Sequence, residues 1–345
     1  MKSLGLLLKA CFASPLATVF SLALLALALA LGAPLLHWAV LDASLSTDPA
    51  QCGAAGGACW GVVREKAPFI LLGRYPAEER WRAVLASALI LGPWLLGAAG
   101  RLRGLALLAA LLPAPGLAAL LLGGGFGGLS PVPAEAWGGL PLSLLLTAGG
   151  LAGALPLALL IAYGRRHAPP ALAGLLRLTV DLARSLPLVA VLFAASFLLP
   201  LFFKEGAAPG VLLRVQVAII VFAAAYLSEI LRGGLQAFSA HQRQSAAALG
   251  MGPLQIEGYI VLPQVFRAVA PSLANNAMAL FKDTSLVTVV SLYELTGSLG
   301  LALSGDPLWR PHYLEAWIFI AVVYWGVCGV LERLSGGRAQ GAGLN

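Results

Sequence analysis

Apolar runs about twenty residues long recur from one end of the chain to the other, separated by short polar or glycine-rich stretches. The hydrocarbon core of a bilayer is about 30 Å thick, which roughly twenty helical residues cross. Eight such runs lie at about 12–36, 83–100, 104–122, 140–163, 184–203, 211–233, 264–289 and 314–333, and each predicts a spanning helix. The third is followed by Gly123–Gly128, G-G-G-F-G-G, which reads as a loop. The first is too long for the apolar core of a cleaved signal peptide, so it reads as a retained helix. The pattern predicts an all-α, polytopic membrane protein.

One interruption differs from the other connections. Residues 239–263 read S-A-H-Q-R-Q-S-A-A-A-L-G-M-G-P-L-Q-I-E-G-Y-I-V-L-P. Ser239 and Gln242 have capping-box spacing, and the alanine-rich stretch from Gln244 to Leu249 favours helix. Gly250 is suited to a left-handed cap, and Pro253 opposes continuation. A second short helix is expected from Leu254 toward Leu262, ending before Pro263. The segment therefore reads as a compact helix–turn–helix knuckle. Pro187, Pro200 and Pro263, near the ends of segments, are expected to break or tilt helices.

Composition excludes a water-soluble core. Hydrophobic residues make up 59% of the chain and charged residues 11%, against about 25% charged in soluble domains. Mean hydropathy is +0.88. The formal net charge of +7 is a topology signal that needs no nucleic-acid partner. The connections at 101–103 and 165–166 are basic, through Arg101, Arg103, Arg165 and Arg166, whereas the 123–139 turn carries only Glu135. By the positive-inside rule both termini face the cytoplasm. Cys11 and Cys328 fall in or beside apolar helices. Cys52 and Cys59 fall in the first outer loop, where an oxidising exterior permits a disulfide; two unpaired thiols are the alternative.

The knuckle also has a specific spacing. Gln244-Ser245-Ala246, three residues, Gly250, nine residues, then Ile260-x-Leu262-Pro263 resembles the EAA loop of ABC-importer permeases. Flanking stretches A-Y-L-S-E-I-L-R-G-G-L-Q-A (Ala225–Ala237), L-F-K-D-T-S-L-V (Leu280–Val287), W-G-G-L-P-L-S-L-L-L-T (Trp137–Thr147) and R-S-L-P-L-V-A-V-L-F (Arg184–Phe193) are similar to the polar-amino-acid branch of that family. R-Y-P-A-E-E-R-W-R (Arg74–Arg82) and three extra N-terminal helices resemble the larger permease of general L-amino-acid importers.

The resemblance implies an N-terminal extension over 1–136, a five-helix permease core over 137–335 and a disordered cytoplasmic tail over 336–345. It implies a bacterial inner-membrane location and a transport subunit rather than an enzyme, with no catalytic residue and no metal site. The implied partners are a cytoplasmic ABC ATPase in two copies, a second homologous permease and a periplasmic amino-acid-binding protein. ATP and Mg are expected on the ATPase and no cofactor on this chain. The knuckle (Gln244, Ser245, Ala246, Gly250, Ile260, Leu262 and Pro263) is implied to dock on the ATPase. The family's leading Glu-Ala is Gln244-Ser245 in this chain, which weakens a charge contact to the ATPase or leaves it to the partner permease. The extra helices either stabilise the complex or contact membrane lipid.

Ionisable residues in spanning segments are costly and usually face a polar pathway. Lys282-Asp283, followed by Thr284 and Ser285, offers a cation, an anion and two hydroxyls to a zwitterionic amino acid; an internal ion pair that stabilises the bundle is the alternative. Glu229 and Arg232, at i,i+3, read either as a helix-surface pair or as a group that gates or reads a cationic side chain. Asp181 and Arg184 repeat the spacing and read as a surface pair. No G-x-x-x-x-G-K-[ST] and no H-E-x-x-H occurs, and His37, His167, His241 and His312 fall in or near loops. An ATPase and a zinc protease are thus excluded as sequence readings. A self-contained, ion-coupled transporter is the competing reading, and it predicts paired repeats. No convincing repeat relates the two ends of the chain.

Overall fold

The computed structural model describes residues 11–339 apart from Ala55. Its helices in chain order are α1 (Pro15–Leu36), α2 (Pro49–Ala54), α3 (Gly61–Leu72), α4 (Arg80–Ala98), α5 (Gly104–Leu111), α6 (Ala114–Gly123), α7 (Gly139–His167) and α8 (Pro170–Ser185). They continue with α9 (Leu188–Phe193), α10 (Val211–Ala237), α11 (Ala240–Ala248), α12 (Leu262–Asp283), α13 (Leu295–Ser304) and α14 (Tyr313–Ala339). Residues 340–345, most of the expected tail, lie outside the described residues, as do Lys2 and Lys9.

Among the described residues six helices are long and apolar enough to cross a membrane, or seven if one bent pair counts as a single span. The expected eight are not reached. Six predicted runs have counterparts at Pro15–Leu41, Ala77–Ala98, Ala106–Gly123, Gly139–His167, Val211–Ala237 and Arg310–Leu334. The fifth run, 184–203, corresponds to the stretch Leu188–Phe202, which does not qualify as a span alone and meets the preceding α8 at 102°. Pro187 caps that stretch and lacks the N–H that would continue α8. The seventh run forms α12, 22 residues long. Gln264, Arg267, Asn275, Asn276, Lys282 and Asp283 along it make it too polar to qualify as an apolar span.

The chain divides into two compact units. The smaller comprises Met1–Ala67 and Leu303–Phe319. In it α1 buries none of its residues, and its leucines remain outward-facing, as a helix solvated by lipid requires. Cys52 and Cys59 are joined as a disulfide with Cα atoms 5.4 Å apart. The Cys59 amide donates to Glu315 Oε1 at 2.8 Å, and Lys66 Nζ pairs with Asp306 at 2.6 Å.

The larger unit, Pro68–Ala302 and Ile320–Asn345, is organised around α7. Leu142, Leu146, Ala154 and Ala158 of α7 pack in a core with Ile219, Leu227 and Leu231 of α10 and Val265 of α12. Leu144, Leu145 and Ala148 pack in a second core with Ala83 and Trp94 of α4, Ala118 of α6 and Phe281 of α12. A helix apolar on every side is a buried one. The α7–α10 contact is close because α7 presents glycine: a Cβ on Gly150 would meet Ile219 at 2.8 Å, and one on Gly153 would meet Ile220 at 2.7 Å. Small residues at such seams let backbones approach in the absence of a hydrophobic drive between lipid-solvated helices.

Arg82 shows how this unit satisfies its helix ends. Its side chain is fully buried. Nε donates to Leu121 O at 2.8 Å, Nη2 to Leu122 O at 3.0 Å and Nη1 to Ser130 O at 2.8 Å. The guanidinium thus closes the last turn of α6 and the loop beyond it, with Glu79 Oε2 at 3.5 Å as counter-charge. We expect Arg82→Met to leave the Leu121 and Ser130 carbonyls without this donor, Leu122 O keeping its bond from the Tyr75 hydroxyl, and to cost about 3 kcal/mol. Thermal unfolding of the detergent-purified chain should show a lowered midpoint, while Arg74→Met, which removes a single exposed bond to Glu135 O, should change it little.

Candidate functional site

The 239–263 segment is built as a rigid bracket. Helix α11 ends in a Schellman motif: Met251 N–H donates to Ala246 O at 3.2 Å and Gly250 N–H to Ala247 O at 2.9 Å. Gly250 has φ +83°, and a Cβ there would meet nothing within 4 Å. Its glycine is required by conformation and not by crowding. Two expectations need correction. Ser239 makes no capping bond; Gln242 instead accepts from Gln264 Nε2 at 2.9 Å. The second helix does not stop before Pro263. A turn at Pro253–Gln255 leads into wide π-type turns over Ile256–Val261 and directly into α12, where Pro263 sits in the first turn. Widened turns accommodate the hydrogen bond that a proline cannot donate.

Glu257 ties the bracket down. Its carboxylate accepts from Arg243 Nε at 2.9 Å and Nη2 at 3.2 Å, and from the Tyr163 hydroxyl at 2.6 Å. One carboxylate therefore joins α11, the wide-turn segment and α7. Burial pushes its carboxyl up. The bonds from Arg243 and Tyr163 and the charges of Arg243 and Arg166 outweigh that and hold it below the usual carboxylate range.

Of the predicted coupling residues, Gln244, Ser245, Gly250 and Pro263 are exposed, Ile260 and Leu262 are half-buried, and Ala246 is buried beneath the turn. The outer face of the bracket carries large apolar side chains that the sequence reading passed over: Leu249, Leu254 and Tyr259 are 84%, 89% and 78% exposed.

Glu229 is engaged by two arginines and not by Lys282. Arg165 of α7 and Arg232 of its own helix both engage its carboxylate, Arg232 Nη2 at 2.7 Å, so it ties α7 to α10. Arg184 does not pair with Asp181 but lies over the Tyr226 ring, 5.4 Å from its centroid. At the end of α12, Lys282 is exposed and Asp283 half-buried. The Thr284 hydroxyl donates to Phe281 O at 2.8 Å and is thereby occupied within its own turn.

Glu294 is the residue that the sequence reading missed. It is fully buried at the N-terminus of α13. Its Oε1 accepts from the Thr296 and Gly297 amides at 2.8 and 3.0 Å, as a capping carboxylate does. Its Oε2 accepts from Ser143 of α7 at 3.0 Å and from Tyr324 of α14 at 3.1 Å. Three helices meet on one carboxylate. A lone Glu directly before the apolar stretch L-T-G-S-L-G-L-A-L was the available signal.

The family model of the binding-protein-dependent transport system inner membrane component matches residues 154–334. The inner membrane amino-acid ABC transporter permease protein YhdY of Escherichia coli K12 is 38% identical over 308 residues, which cover 88% of this chain and 83% of that protein. The glutamate/glutamine/aspartate/asparagine transport system permease protein BztC of Rhodobacter capsulatus is 30% identical, covering 78% of this chain and 75% of that protein. A solved amino acid ABC transporter with histidines has a TM-score of 0.48 at 23% identity, over 56% of this chain and 88% of that one.

The chain belongs to the family of binding-protein-dependent transport system inner membrane components. It is a permease subunit of an ABC importer, a transport component and not an enzyme, and the self-contained ion-coupled reading is set aside.

The Glu257 tie has a definite pH dependence. A carboxyl whose folded pKa is depressed adds stability above its unfolded pKa and loses it as pH falls through the folded value. Hydrogen-exchange protection factors over 240–262, corrected for the intrinsic pH dependence of exchange, should therefore be high at neutral pH and fall on acidification below about pH 4. Glu257→Gln should show fast exchange already at neutral pH, with a loss of about 2 kcal/mol in local protection.

Proposed function

We propose that this chain is one permease half of an ATP-driven importer for L-amino acids in a bacterial inner membrane, with both termini cytoplasmic. The observation that carries the coupling assignment is the bracket: a capped, ion-paired and rigid element whose outer face exposes Leu249, Leu254 and Tyr259. Such side chains in a cytoplasmic segment mark a partner surface. A separate ABC ATPase, in two copies, seats the bracket in a groove and supplies the bound ATP and Mg; this chain binds no cofactor. Gln244 and Ser245, exposed and uncharged where the family carries Glu-Ala, make that seat mainly apolar on this side. The names of the relatives, which carry amino-acid transport, support the substrate class.

A second homologous permease completes the pathway, and an external amino-acid-binding protein delivers the substrate. ATP-driven closure of the ATPases moves the paired brackets, and the two permease halves rock between outward- and inward-open states. Arg243–Glu257–Tyr163 carries displacement of the bracket into α7, and Arg165–Glu229–Arg232 carries it from α7 to α10. Lys282 and Asp283 meet the carboxylate and ammonium of the substrate, with Ser285 as a further donor. Thr284, already bonded within its turn, shapes the wall. Residues 1–136 are an N-terminal extension to the permease core at 137–335, and the remainder is a tail.

The coupling test is Leu254→Asp in the complex assembled with its ATPase, partner permease and binding protein. Because Leu254 is 89% exposed, the chain should fold normally, while binding-protein-stimulated ATPase activity should fall by at least tenfold. Undiminished stimulation overturns the docking assignment. Uptake by Lys282→Ala and Asp283→Ala complexes tests the pathway separately: both should lose or alter uptake with assembly intact, and unchanged uptake and selectivity in both removes it.

A further inference from the structure

A cavity of about 510 Å³ lies where the C-terminal ends of α7 and α10 meet α11 and the middle of α8, and five arginines line it: Arg165, Arg166, Arg177, Arg232 and Arg243. Two carboxylates are bonded to members of this group, Glu229 to Arg165 and Arg232, and Glu257 to Arg243. The cluster retains an excess of positive charge. Its donors are also incompletely used. Arg177 is exposed and makes no hydrogen bond or ion pair with any described residue. Arg166 spends one nitrogen on Leu235 O at 3.2 Å. Arg165, with only 9% of its side chain exposed, keeps a buried Nε with no partner at all.

The backbone adds to this. Ala240, the first residue of the nine-residue helix α11, lines the same cavity, and Ser239 does not cap it. The free amides of a helix N-terminus favour an anion, and guanidinium forks match its oxygens in pairs. We propose that this cavity is a binding site for a phosphate-class anion, which joins the bundle arginines to the first turn of the coupling bracket. The chemistry is shared by an acidic phospholipid headgroup and by free phosphate. Positive charge alone serves topology, but topology does not require five guanidinium groups around one cavity or an unpartnered buried Nε.

The test uses the full-length chain in nanodiscs of phosphatidylcholine, of phosphatidylcholine with phosphatidylglycerol, and of phosphatidylcholine with added inorganic phosphate. The thermal midpoint of the wild type should rise in at least one of the latter two: with phosphatidylglycerol if the ligand is a headgroup, with phosphate if it is free. Arg177→Gln, at an exposed and unpartnered position, should keep the phosphatidylcholine midpoint and bind the anion about tenfold more weakly. Arg177→Lys should retain most of the effect, and Arg310→Gln, the same charge change outside the cavity, should behave as wild type. No rise with either anion, or an equal loss in Arg177→Gln and Arg310→Gln, overturns the site.

Discussion

The close seam between α7 and α10 is the contact on which the larger unit depends. Lipid tails are as apolar as leucine, so two helices in a bilayer gain little from burying leucine against leucine. What they gain comes from dispersion between surfaces brought near one another. Gly150 and Gly153 remove the side chains that would hold the backbones apart, and Ile219 and Ile220 fill the space. With that seam closed, α7 becomes a post with a core on each side, α10 and α12 on one and α4 and α6 on the other.

Polar groups secure this post only at chosen points. Ser143, Tyr163 and Arg165 are three α7 side chains, and each bonds a carboxylate from a distant part of the chain: Glu294, Glu257 and Glu229. A charge withdrawn from water is costly unless it is well bonded, and these carboxylates accept three to five bonds each. Such ties add little net stability but strongly disfavour other registers. Glu257 thus ties the bracket to α7, and Glu229 ties α7 to α10.

The coupling bracket follows the same economy. Its turn is closed by backbone bonds around Gly250, Arg243 and Gln242 are engaged by Glu257 and Gln264, and Leu249, Leu254 and Tyr259 remain exposed. A segment that looks polar in sequence therefore also exposes three large apolar side chains. The apolar residues were visible in the string, but which side of the bracket they occupy depends on the wide turns of Ile256–Val261, which no local pattern announces.

Hydropathy alone placed most of the spanning helices, because lipid imposes the same requirement on every turn of a span and a linear average captures it. It failed where the requirement changes along a segment: at Pro187, where the fifth run begins as a short stretch bent by 102° from the helix before it, and along α12, which carries polar residues along its length. The knuckle, its glycine and the ionisable residues of the core were legible as residue types at fixed spacings. Their pairings were not. Glu229 was a candidate for the substrate and is held by Arg165; Glu294 went unnoticed and joins three helices; Ser239 has capping spacing and caps nothing. The sequence by itself determined the membrane class, six of the spanning helices and the helix–glycine turn of the knuckle, since these rest on local hydrophobicity and backbone preference. Only the tertiary structure decided which charges are spent on one another, because that depends on contacts between residues distant in the chain, such as Arg165 and Glu229, 64 positions apart.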